Sequence, residues 1–460
     1  MTATATLTVE SPYTGEIVGE VPLSSPEQVR ALLDDGAAYR NELSRHQRSE
    51  ILFAVSHAIS GREDELASLI TAEAGLCMKD SRYEIGRAAD VFRFAAIEAL
   101  RDDGEAFSGD VSGHGRNRRA HTLRTPVRLV GAITPFNHPL NQVAHKLAPA
   151  IAIGAPIVLK PSEKVPLSAF RLLEILRESG LPQEAVQIVC GEPAKVLDQF
   201  LAHDALEVIS FTGGVNVGKL IAGRLGYRRA VLELGGNDPL IVLPDADLDE
   251  AAALAVSGSF KNSGQRCTAV KRIIAVGDIA DDLADRIAGG AAAIKVGDPS
   301  DEATDIGTVI DERAALDIEA RYTEAIADGA KLLYGAHRDG AQLTPTVLDH
   351  VDPNSRLVAT ETFGPVAPII RVPDLDAAIA VANSTPYALS SGVCTFDWRA
   401  ISRCIRELRA GTVNIREVPG WRTEVTPFGG IGDSGLGVKE GVREAIKAMS
   451  FTKLYTLPWD

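Results

Sequence analysis

The run VRLVGAITPFNHPLNQVAHKLAPAIAIGAPIVLKPSE, Val127 to Glu163, sets the fold class. Val127–Ile133 is a short apolar run rich in β-branched residues. Leu140–Ala152 repeats its apolar residues at helical spacing, and Pro156–Leu159 is strand-like again. Strand, helix and strand in succession make a βαβ unit. The alternation continues downstream. Leu167–Glu178, Lys195–Ala202 and Val217–Leu225 read as helices, and Val186–Val189, Val208–Phe211 and Ala230–Leu234 as strands. Such a chain builds a parallel sheet with helices on its faces.

Working outward, the texture shifts near Glu233 and the alternation then resumes. Ala246–Phe260 and Ile279–Ile294 are helical, Ile273–Val276 and Val366–Ile370 strand-like, and Leu375–Asn383 helical. Two α/β halves are therefore expected. Upstream, the β-rich start to Leu23 turns at Pro12-Tyr13-Thr14-Gly15. Ser25-Pro26-Glu27 then opens a helical region, with Ser25 as the cap and Pro26 in the first turn. A long amphipathic helix spans Arg82–Arg101. Asp102–Leu123 lacks helical period, and Arg119–Thr125 can form a β arm outside the main body. Phe451–Leu457 reads as a last strand able to pair with another edge.

The chain has 460 residues, 45% of them hydrophobic, and a net charge of -15. That balance opposes a nucleic-acid or acidic-membrane partner, and aromatics at 5% are too sparse for a base-stacking platform. No apolar run approaches the ~18 residues of a membrane span. The N-terminus lacks a basic segment followed by an apolar one, so no signal peptide is expected. Five scattered cysteines without CxxC spacing argue against a disulfide framework or a zinc site. The expected setting is the reducing cytoplasm.

The chemistry concentrates in SGSFKNSGQRCTAVKRIIAV, Ser257–Val276. Cys267 follows a polar glycine-containing turn and precedes a strand, and the adjacent Arg266 can favour its thiolate. A buried structural cysteine is the plain alternative. Glu233, at a strand end beside Gly235 and Gly236, is a candidate general base. Asn137, after another strand, can donate to a developing oxyanion. Thr212-Gly213-Gly214 leads a strand into a helix whose N-terminus can face a pyrophosphate, although no GxGxxG is present. Lys160 and Glu163 end a further strand. A carboxylate there accepts from a ribose 2′-hydroxyl and repels a 2′-phosphate, which favours NAD over NADP.

Taken together, PFNHP, KPSE, FTGG, ELGG, GQRC, Glu361-Thr362-Phe363-Gly364-Pro365 and Pro427-Phe428-Gly429-Gly430 resemble the aldehyde dehydrogenase superfamily, in that family's order, from about Val127 to Gly441. The resemblance implies an aldehyde-dehydrogenase-like α/β fold. A Rossmann-type NAD-binding domain (1–106 and 125–232) would join a catalytic domain (233–440) and a β oligomerisation arm (107–124 and 441–460), giving a homodimer or homotetramer. It implies Cys267 as nucleophile, Glu233 as general base and Asn137 as oxyanion donor. It also implies Phe136, Lys160, Glu163, Thr212, Gly213, Gly214, Glu361 and Phe363 as contacts of the NAD cofactor. Gly214 departs from the serine that many members carry. Arg87, His138, Arg266 and Arg422 stand at places where members acting on phosphorylated or phosphonylated aldehydes carry cationic or polar groups. The wider texture is nearest to phosphonoaldehyde dehydrogenases. The expected reaction is oxidation of a small anionic aldehyde, of phosphonoacetaldehyde or phosphonoformaldehyde type, to the phosphonocarboxylate. Glyceraldehyde 3-phosphate, lactaldehyde and succinate semialdehyde are the alternative substrates. A non-catalytic binding or structural relative is the alternative class.

Overall fold

A computed structural model describes residues 5–459; the first four residues, part of the expected β-rich start, lie outside the described residues. The chain opens with the antiparallel hairpin β1 (Thr6–Glu10) and β2 (Ile17–Pro22). Helices α1 (Pro26–Ala38), α2 (Arg45–Ser60), α3 (Glu63–Ala74) and α4 (Met78–Ala99) follow. Ser25 caps α1 as expected, in a reciprocal capping box with Gln28. On α4, Ile85, Ala88, Phe92, Ala95 and Ala99 recur every three or four residues and are buried against α2 and α5. Arg101 falls beyond the helix end.

Strands β3 (Ala106–Ser108) and β4 (Arg118–Pro126) belong to the arm. Next comes the expected alternation: β5 (Val130–Ile133), α5 (Asn141–Ile153), β6 (Ile157–Lys160), α6 (Leu167–Glu178), β7 (Val186–Ile188), α7 (Pro193–Ala202), β8 (Val208–Thr212), α8 (Val215–Arg224) and β9 (Arg229–Glu233). These strands form one parallel sheet in the order β7-β6-β5-β8-β9. The chain moves outward from β5 to β7 and then returns to the other side of β5. The switch point, and hence the ligand crevice, lies between the C-terminal ends of β5 and β8.

Sheet membership changes just after Glu233. Strand β10 (Asp238–Val242), helix α9 (Leu248–Phe260) and strand β11 (Val270–Val276) open a seven-stranded sheet. Its order is Lys331–Tyr334, Thr346–Asp349, Val366–Val372, β11, β10, Ser390–Cys394 and Thr412–Ile415; only the first pair is antiparallel. The C-terminal strand Ser450–Pro458 pairs along β4 and forms the outer edge of the three-stranded arm. The preceding segment is not part of that sheet. Val442–Ala448 is a helix whose Val442, together with Met449, joins the core shared by α4 and α5. Among the described residues, no helix is long and apolar enough to cross a membrane.

Candidate active site

Cys267 sits where the two halves meet. The turn before it is tightly folded: Asn262, Ser263 and Gly264 all have positive φ, at 61°, 52° and 70°. A Cβ on Gly264 would overlap the backbone of Gly364, so the cysteine turn packs directly on the Glu361–Pro365 loop. Cys267 keeps partial exposure. Burial pushes its thiol up to about 12, and Lys271 is the main cation acting the other way. Arg266, the cation expected from the sequence, also lies within the field of Cys267. The Arg266 guanidinium turns back to donate to the carbonyls of Ser257 (3.2 Å) and Gly258 (2.6 Å).

Lys271 is the cation that sequence reasoning missed. Its Nζ donates to Gly236 O, Cys267 O and Glu361 Oε1, each at 2.8 Å. All three ammonium hydrogens are used, and one buried charge ties the ELGG, cysteine and ETFGP segments together. Its signal in the sequence was the cationic pair Lys271-Arg272 inside an otherwise apolar strand.

Asn137 is held in the turn after β5. Its Nδ2 donates to Gln265 O at 2.8 Å, and its own carbonyl accepts from Asn262 Nδ2 at 3.0 Å. The turn is fixed from below by Glu84 of α4, whose Oε1 accepts from the Leu140 and Asn141 amides at the start of α5 (2.7 and 2.9 Å). Glu233 ends β9. It is 3% exposed, and neither carboxylate oxygen has a hydrogen-bond partner. Burial, reinforced by the nearby Glu440, holds its pKa well above the ordinary carboxylate range. Glu440 in turn pairs with buried Lys146. Cys267 lies within the field of Glu233.

The proposed cofactor residues converge on the switch-point crevice. Phe136 follows β5, Lys160 ends β6, and Thr212, Gly213 and Gly214 follow β8. Phe136 meets Phe363 edge to face, with ring centroids 5.9 Å apart. Lys160 pairs with Glu163 at 2.6 Å. Partial burial alone would raise the Glu163 carboxyl, but Lys160 outweighs that and holds it low. Glu361 is fixed by Lys271 and by the Gly236 amide (3.1 Å), while a Cβ on Gly235 would overlap its carboxylate. Thr212 Oγ1 is buried without a partner, and α8 begins without a side-chain cap at Gly214. An orphaned hydroxyl, bare helix amides and a ribose-directed carboxylate fit a dinucleotide.

The four cationic candidates also converge. Arg87, His138, Arg266 and Arg422 line one cavity of about 110 Å³ with Lys261, Asp80 and Thr268, the neighbour of Cys267. Arg87 Nε donates to Glu424 Oε1 at 2.5 Å, and His145 Nε2 lies 2.6 Å from Glu424 Oε2. Arg422 stacks on Phe428 at 4.2 Å; its Nη1 and the Arg266 Nε are buried donors without acceptors. His138 Nδ1 lies 3.4 Å from Glu84. Lys261, Glu84, Glu424 and His145 were not read from the sequence. Only Glu424, two residues after Arg422, carried a local hint.

Known proteins resemble the chain over nearly its whole length. The chain is 35% identical over 446 residues to the 3-sulfolactaldehyde dehydrogenase of Priestia aryabhattai, covering 97% of this chain and 93% of that one. It superposes with a TM-score of 0.96 on aldehyde dehydrogenase 21 from Physcomitrella patens in complex with the reaction product succinate (32% identity, 100% and 96% covered). The NADP-dependent glyceraldehyde-3-phosphate dehydrogenase from Bacillus halodurans, complexed with NADP, gives 0.95 (35% identity, 99% and 96% covered). The aldehyde dehydrogenase family model matches residues 1–455, and the chain belongs to the aldehyde dehydrogenase family.

Proposed function

We propose that the enzyme oxidises a short aldehyde bearing a tetrahedral oxyanion, a phosphonate or a sulfonate, to the corresponding carboxylate, with NAD as its cofactor. The carrying observation is the set of cationic side chains around one small cavity beside the nucleophile, with unpartnered donors on Arg266 and Arg422. Guanidinium forks suit the oxygens of such a group.

Cys267, as the thiolate, bonds through its sulfur to the aldehyde carbon. The Asn137 amide donates to the oxygen as charge develops there, a contribution of roughly 2.7–4 kcal/mol for one such donor. The nicotinamide dinucleotide, when bound, supplies the hydride acceptor; Lys160, Glu163, Thr212, Glu361 and Phe363 would hold it. Loss of hydride leaves the acyl group on Cys267 as a thioester. Glu233 takes a proton from the attacking water, and the sulfur departs as the acid forms.

A specific observation favours the sulfonate. Arg87, Lys261, Arg266 and Arg422 are balanced in part by Asp80, Glu84 and Glu424, an excess of one positive charge before His138 is counted. A monoanionic sulfonate matches that excess more closely than a dianionic phosphonate. The 3-sulfolactaldehyde dehydrogenase relative supports the same reading. Initial rates of NAD reduction with sulfoacetaldehyde, phosphonoacetaldehyde, glyceraldehyde 3-phosphate and succinate semialdehyde test it. The expected result is a kcat/KM about a hundredfold higher for a tetrahedral anion, or ~2.7 kcal/mol of discrimination. A flat profile or a win for the semialdehyde overturns the clamp.

The arm supports assembly. Leu454, Leu457 and Trp459 are 59%, 48% and 53% exposed, and the C-terminal strand has one edge unpaired. A bare apolar strand edge is a template for pairing. The reading is at least a homodimer, and sedimentation of a stable monomer at micromolar concentration overturns it.

A further inference from the structure

A cavity of about 840 Å³ opens between α2, the end of α5 and β4 of the arm, and shares no lining residue with the arginine cavity. Eight cationic side chains and three carboxylates line it, an excess of five positive charges. The chain as a whole is at -15. Part of that excess is compensated. Arg124 pairs with Asp103 at 2.5 Å, and Arg101 and Arg443 share Glu98 at 3.2 and 3.1 Å.

The rest is not. Arg48 is 9% exposed; its Nε donates to Ala152 O at 3.0 Å and its Nη1 to Leu43 O at 2.6 Å. Its Nη2 has no protein acceptor, and no carboxylate pairs with it among the described residues. Burial and neighbouring Arg45 both act against its charge. Arg40 donates only to the carbonyls of Ala37, Ala38 and Tyr39 at the end of α1, and the Arg128 side chain makes no bond among the described residues. Gathering uncompensated like charges around a buried guanidinium opposes folding, and a bound anion offsets it.

We propose that this cleft binds a small molecule carrying two or more phosphates, at a site separate from the aldehyde and cofactor sites. The volume falls within the roughly 300–1,000 Å³ of small-ligand sites, and several forks around one cleft match the many oxygens of a diphosphate. With Asp102 and Glu444 counted, eight cations face five carboxylates; the excess of three calls for more than one negative group and separates this cleft from the arginine cavity with its single-charge excess.

The test titrates pyrophosphate into the full-length enzyme by calorimetry, with NAD saturating the cofactor site. Arg48→Met removes backbone ties and can fail to fold, so the surface variant Arg40→Ala/Arg128→Ala is the primary comparison. It touches neither the cofactor nor the aldehyde site, and its aldehyde oxidation without pyrophosphate stays at the wild-type rate. The expected result is binding to wild type that weakens at least tenfold in the double variant. ADP binding tenfold tighter than pyrophosphate identifies a nucleotide as the ligand; equal affinity identifies the diphosphate alone, and both support the site. Equal pyrophosphate affinity in wild type and double variant overturns it by placing the anion elsewhere. No binding to wild type, with a change in sedimentation of the double variant, overturns it in favour of a second copy of the chain.

Discussion

Glu233 and Glu424 are both buried, at 3% and 4% exposure, yet their surroundings are opposite. Glu424 has one oxygen on Arg87 and the other on His145, and these partners hold its carboxyl far below the usual range despite burial. Glu233 has no hydrogen-bond partner for either oxygen, and burial with Glu440 nearby raises it. The first is a fixed anion that orients cations. The second is a group whose proton affinity is left high, which a base requires. Burial alone therefore does not set a carboxylate's proton affinity; whether its oxygens have partners does.

The sharpest way to break this contrast is Glu233→Gln. Loss of the base should lower steady-state kcat by about 10²–10⁴-fold while leaving a single burst of NADH per site, because only thioester hydrolysis is blocked. In the wild type the rate should rise with pH through a limb well above 4.5, and the variant should lose that limb. Stability should move the opposite way. The raised native pKa means the folded state holds the proton longer, so Glu233 costs stability as pH rises from its unfolded value through its folded one. The variant should lack that slope in denaturant melts. An unaltered pH profile in Glu233→Gln would assign the base to another group.

Arg422→Ala comes next. It removes a fork whose Nη1 has no hydrogen-bond acceptor and stands 3.9 Å from Glu424, while Glu424 keeps Arg87 and His145. KM for a sulfonate or phosphonate aldehyde should rise about a hundredfold, in line with ~1.5–3 kcal/mol for a charge-assisted bond, and KM for propanal should change little. Equal losses on both would reduce Arg422 to a structural role. Lys271→Met should lower kcat about tenfold and shift the pH profile of Cys267 alkylation upward, one pKa unit being ~1.4 kcal/mol. A kcat loss without that shift would leave Lys271 only a tie between loops. The smallest effect is expected for Glu163→Gln, which should raise the NADP-to-NAD ratio of kcat/KM several-fold by removing the charge facing a 2′-phosphate.

The alternation from Val127 to Leu234 was legible because each element carries its own period, and the structure reproduces its order through β9. Cys267, Glu233 and Asn137 stood out as candidates because each lies at a strand end or in a turn near glycine or proline. Their partners did not. Lys271 reads as one of two adjacent cations, with Arg272, in an otherwise apolar strand, and two of its three acceptors come from segments distant in sequence. Arg266 lies within the field of Cys267, but adjacency in sequence places only its Cα; its guanidinium follows the nearest free carbonyls at the end of α9.

By itself the sequence determined the α/β class, the strand-end positions of the reactive groups and the acidic carboxylate at the ribose position. Those are local properties, set by periodicity, turn chemistry and side-chain type. Only the tertiary structure decided which cations reach the thiol, which glutamate is left unsatisfied, and that Arg87 and Arg422 share a cavity though they lie on α4 and on the loop before Pro427. Proton affinities and anion sites depend on distance and burial, and those are set where segments remote in sequence pack together.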